Sequence, residues 1–162
     1  MKTNVTRVNP AKRLAYAFVG LLVGDAILLL FCLLNALLVR AALLRAHAGE
    51  PAKVVPQMLQ AFLLYAAFSF VGWLLVGLPV SLLFPAHFIA RLSWPLRLLV
   101  GTALGPLALL AILGLLGHGH ISFPASFTGT GALWAYSILV STSSFLVYAA
   151  LLQKDVGRRA LS

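Results

Sequence analysis

The chain reads as an all-α integral membrane protein, a four-helix transmembrane bundle with both termini on the cytoplasmic side. Three observations lead there. Hydrophobic residues make up 62% of the 162 positions and charged residues only 9%, too few to cover a soluble surface, which in an average domain is about 25% charged. The apolar residues fall into four stretches, each near or above the roughly 20 residues that carry a helix across a bilayer. Basic residues collect on one side of those stretches, as the positive-inside rule requires.

The first span is the apolar run 14–39 and the second covers about 58–84. The third covers about 96–117 and the fourth about 132–152, and together they make a single membrane domain over residues 1–162. The pattern of the first helix continues through Arg40 to Arg45, so it is expected to leave the membrane and end near Gly49 and Pro51. Pro56 can open the second helix and Pro95 the third, where a missing N–H is harmless. Gly77-Leu78-Pro79 should bend the second span, and Pro106 frees the carbonyl of Thr102 in the third. Ala46-His47-Ala48 has the small-x-small form of a signal-peptide cleavage site. The apolar run before it is much longer than a signal-peptide core, so an uncleaved span is expected.

Lys2, Arg7, Lys12, Arg13, Arg91, Arg97, Lys154, Arg158 and Arg159 share one side of a four-span layout, leaving Arg40, Arg45 and Lys53 on the other. The richer side is expected to be cytoplasmic and to attract anionic lipid head groups, at about 1 kcal/mol per well-placed cation. The net charge of +9 is explained by topology, with no nucleic-acid partner expected. Richness in Leu, Ala, Gly and Arg is compatible with a bacterial inner (plasma) membrane.

Asp25 is the only carboxylate in any of the apolar runs. A charge at mid-span costs about 2.5–3.5 kcal/mol on insertion scales, so it must be hidden or used. Ser69, Ser141 and Ser144 fall at a similar depth and form with Asp25 a candidate polar midplane layer. Ser137, Ser141, Ser144 and Tyr148 recur at steps of four, three and four, which aligns them on one face of the fourth helix, expected to look inward. No Lys, Arg or His lies at that level. The neutral acid is therefore expected, bonded to Ser141 or Ser144 or to a water held between them, with Asp25→Leu less stable than Asp25→Asn if those hydroxyls are left unpaired. Gly20/Gly24 and Gly101/Gly105 are G-x-x-x-G pairs that permit close helix packing, expected within the monomer.

His118 and His120 are weak metal candidates, because no spacing supplies a third ligand, and no metal or other cofactor is expected. The single cysteine, Cys32, excludes an internal disulfide. No His-Glu-x-x-His, phosphate-binding glycine pattern or activated serine is present, so no enzyme is expected. Two functions remain. One is a non-catalytic accessory or structural subunit that packs against other membrane subunits or itself. The other is an oligomeric small-solute or proton-coupled transporter or channel using Asp25. An acidic residue in the first of four helices resembles the layout of small multidrug transporters in that respect alone. This chain is longer, has Asp rather than Glu, and shares no surrounding motif.

Overall fold

The structure, a computed structural model, describes residues 8–47, 49–115 and 130–160, and among these it is helical with no strand. Helix α1 (Pro10–Ala46) starts on Asn9, whose side chain accepts from the Ala11 N–H at 2.9 Å, with Pro10 in the first turn. It ends on His47 in a left-handed conformation (φ 49°), and Gly49 follows at φ 68°. At 1.5 Å per residue, 37 residues span about 55 Å, well beyond the hydrocarbon thickness of about 30 Å.

The second span runs from Pro51 to Leu83. It begins earlier than expected, because Pro51 rather than Pro56 takes the opening position and Pro56 lies inside α2 (Pro51–Gly72). A π-helical turn, Trp73–Gly77, follows, and α3 (Leu78–Leu83) completes the span. Pro79 has no N–H for the carbonyl four residues back, and the Leu78 N–H reaches the Trp73 carbonyl one residue beyond the α-helical register. The helix is thus locally widened at the place where the bend was expected. A short helix, α4 (Ala86–Arg91), then leads into α5 (Trp94–Leu115), the third span. The fourth, α6 (Thr130–Ala160), continues well past Leu152.

Among the described residues, four helices are therefore long and apolar enough to cross a membrane. They alternate in direction. The start of α1 meets the end of the second span through Arg13, and the start of α5 meets the end of α6 through Arg97, which donates to Gln153 Oε1 at 3.0 Å. Outward-facing Leu30, Leu34 and Leu38 recur every four residues, and Leu38 is 71% exposed. An apolar stripe that continuous suits hydrocarbon rather than water, which suggests a multi-pass membrane protein.

Helix α6 sits between α1 and α5, and glycines set both distances. A Cβ on Gly20 would lie 2.5 Å from the Ser144 carbonyl oxygen, and one on Gly24 would collide with the Ser144 hydroxyl. On the other flank, a Cβ on Gly101 would lie 2.9 Å from Thr142 Cα, and one on Gly105 would collide with the Ser137 carbonyl oxygen. Both pairs thus face α6 of the same chain. The second span packs mainly on α1 and meets α5 along a smaller seam. At the end holding α4, Ala17, Ile89, Phe145, Tyr148, Ala149 and Leu152 form a closed core.

Candidate functional site

Asp25 lies on the flank of α1 that faces the second span, one position round the helix from the buried line Arg13, Ala17, Gly20, Gly24 and Leu28. Its neighbour is Ser69, whose hydroxyl donates to Asp25 Oδ1 at 2.7 Å and is also 3.0 Å from the Ala66 carbonyl. The side chain is half-buried, at the seam between the first two spans.

This corrects the expected partnership with the fourth helix. Ser141 donates instead to the Gly101 carbonyl of α5 at 2.7 Å. Ser144 lodges against Gly24, its oxygen buried and, among the described residues, without a hydrogen-bond partner. Asp25 and these serines do share a depth, but α1 turns Gly20 and Gly24 toward α6 and Asp25 toward Ser69. The structure therefore splits the polar layer in two. Asp25 and Ser69 form one pair across the α1–α2 seam, while Ser141 and Ser144 serve the interfaces of α6.

Between the second span and α6 lies a partly open cavity of about 140 Å³. Ser69, Ser137, Ser141, Ser144 and Tyr148 contribute to its wall, so the hydroxyl face of α6 looks inward. Most of the remaining wall is aliphatic or aromatic, including Leu21, Leu109, Val140 and Phe145. Asp25 does not line it. Ser69 does, and so touches both the cavity and the carboxyl.

Two functional features were not anticipated from sequence. Trp73, in the π turn, forms part of the cavity wall and packs over Gly77, where a Cβ would lie 2.7 Å from the indole. Phe18 meets it edge-on and Phe70 stacks against it, at 5.8 and 6.1 Å between ring centres. The signal was an aromatic four residues before a glycine, in the turn that Pro79 disrupts. The other is Arg13, which is buried and donates to the carbonyls of Leu82 (3.4 Å) and Phe84. A cation there meets the unsatisfied carbonyls and negative dipole end of the second span. Its spacing from Ala17, Gly20 and Gly24 already placed it on the buried face.

Among the described residues no three His, Cys, Asp or Glu side chains come together as a metal site. His118 and His120 lie outside the described residues. Comparison with protein-family models, with curated proteins and with solved structures returns no match.

Proposed function

We propose that the chain is a non-catalytic accessory subunit of a membrane assembly, in which a helix of another subunit covers the α1–α2 seam beside Asp25. The observation that carries this reading is the position of the carboxyl. It is half-buried at the edge of the bundle and bonded to one serine, rather than enclosed in the interior. An acid at mid-bilayer is costly wherever lipid is its neighbour, and a polar group from an adjacent helix would complete its surroundings. Leu22 and Ala26, exposed beside Asp25, would take part in that contact.

The orientation we propose has both termini in the cytoplasm of a bacterial cell, facing anionic lipid. Lys12, Arg13, Arg91, Arg97, Lys154 and Arg158 belong to the segments gathered at one end of the bundle. At the other end stand Arg40, Arg45 and Lys53, the last paired with Glu50. The asymmetry in Lys and Arg between the two ends supports that orientation.

A second reading, an oligomeric proton-coupled transporter, draws on Ser69, which connects the carboxyl to the cavity. The two are separated by a photoreactive residue placed at Leu22 or Ala26 in native membranes. The accessory reading expects one stoichiometric protein adduct that disappears with Asp25→Leu. Lipid adducts alone, with proton-driven flux in liposomes that Asp25→Asn abolishes, would replace it with the transporter.

A further inference from the structure

The cavity between the second span, α5 and α6 reaches along α6 from Leu133 to Tyr148, about 22 Å at 1.5 Å per residue. All of its walls belong to stretches long and apolar enough to span a membrane, so it lies at hydrocarbon depth. Its volume of about 140 Å³ is close to that of an engineered apolar cavity that stays dry and accepts benzene. Drawn out over that length, it has room for a stretch of one hydrocarbon chain and none for fused rings. Leu113 lines it and is also 37% exposed, so the space opens to the outside beside α5. The second span and α5 cross tightly at Gly72, where an added Cβ would lie 3.0 Å from that of Ala108. The wall continues on both sides of this crossing, with Ser69 and Val76 on one helix and Leu104 and Ile112 on the other. An occupant that passes such a crossing must be slender.

The wall offers little to a polar guest. Ser69 donates to Asp25, Ser137 to the Trp134 carbonyl at 2.8 Å, and Ser141 to the Gly101 carbonyl. Ser144 Oγ packs against Gly24 on the α1–α6 interface, and Trp73 Nε1 is buried away from the free space although Trp73 forms part of the wall. A buried water needs roughly two to four polar partners and an ion needs still more, so neither settles here. Lipid tails are as apolar as leucine, so a chain that leaves the bilayer for the cavity gains no hydrophobic energy. The gain comes from contact. An empty space deprives its lining atoms of dispersion partners, and a chain restores them.

We propose that this cavity is a binding site for a stretch of a single acyl chain of a membrane lipid, which fills the space between the second span and α6. The head group and the rest of the lipid stay in the bilayer. The wall selects by girth: a straight chain enters and a sterol does not. Asp25 does not line the cavity, so occupancy does not depend on a partner subunit at the α1–α2 seam.

The test uses the full chain in phosphatidylcholine nanodiscs that contain one of two photoreactive probes. One is a phosphatidylcholine with a diazirine midway along one acyl chain, and the other is a sterol with a diazirine on its ring system. Adducts are mapped by peptide mass spectrometry. Both probes should label the outward stripe of Leu30, Leu34 and Leu38, which reports ordinary contact with the bilayer. Leu109, Ile112 and Val140 are buried and line the cavity, so only an occupant can reach them. The acyl-chain probe should label these three and the sterol should not. Val76→Phe and Leu104→Phe fill the space from opposite walls, and each should cut the wall adducts at least about tenfold while leaving the stripe unchanged. Acyl-chain adducts confined to outward residues would overturn the proposal, as would wall labelling by the sterol to the same extent. So would wall adducts that survive both filling substitutions. If neither filled variant folds, the contrast between the two probes on the unaltered chain still decides.

Discussion

The two sides of α6 are built differently. Toward α1 and α5 it is held at backbone distance, with Gly20, Gly24, Gly101 and Gly105 leaving no room for even a methyl group. Toward the second span there is instead a cavity, a π turn and an indole. Without a hydrophobic drive between helices in lipid, close approach of small residues supplies the packing energy. The three-helix side thus holds the bundle together, and the looser side encloses the free space. Asp25 belongs to neither side: it sits on the outer seam, bonded to Ser69.

The largest expected effect comes from forcing the tight side open. Gly105→Leu places a side chain where the Ser137 carbonyl already stands, and should cost about 3 kcal/mol or more in reversible unfolding. A change below about 1 kcal/mol would mean that α5 and α6 are not in backbone contact. Next is Arg13→Gln, which removes a charged donor from the carbonyls of Leu82 and Phe84 and should cost about 2 kcal/mol. Hydrogen exchange of α3 should rise in the same variant, since α3 loses its cap.

Smaller still is Asp25→Leu. Ser69 keeps the Ala66 carbonyl within reach, so the isolated protein should lose less than about 1 kcal/mol, close to Asp25→Asn. The sequence-based expectation that Leu is worse assumed hydroxyls left unpaired around the carboxyl, and among the described residues the one bonded to it, Ser69, keeps a second acceptor. The smallest effect is expected at Gly114, where nothing lies within 4 Å of an added Cβ. Gly114→Ala should be neutral or stabilise by up to about 1 kcal/mol through helix propensity. A loss of stability there would mean that a neighbour packs against that turn.

Much of the architecture was legible because it depends on length and periodicity. Apolar runs mark the spans, the Arg40–Arg45 pattern extends α1 to Ala46, and the step of the α6 serines puts them on one face. Partners were less legible. Depth along a helix can be counted from its ends, but rotation about the axis is set by which helices are neighbours. Asp25 and Ser144 share a level, yet Gly24, the residue before Asp25, is the one that meets α6. Start signals also compete: Pro51 and Pro56 both suit a first turn, and Glu50 at the cap with Pro51 behind it took precedence. Arg13 was read as one of nine topological charges, and its place on the Gly20–Gly24 face was the unread signal that it points inward.

The most direct test of this arrangement is a pair of double-mutant cycles on unfolding in detergent or nanodiscs, Asp25→Asn with Ser69→Ala and Asp25→Asn with Ser144→Ala. A bond across the α1–α2 seam predicts coupling of about 0.5–1.5 kcal/mol for Ser69 and less than about 0.3 kcal/mol for Ser144. Coupling that is larger to Ser144 than to Ser69 would contradict it, and would place the carboxyl in the interior facing the fourth helix.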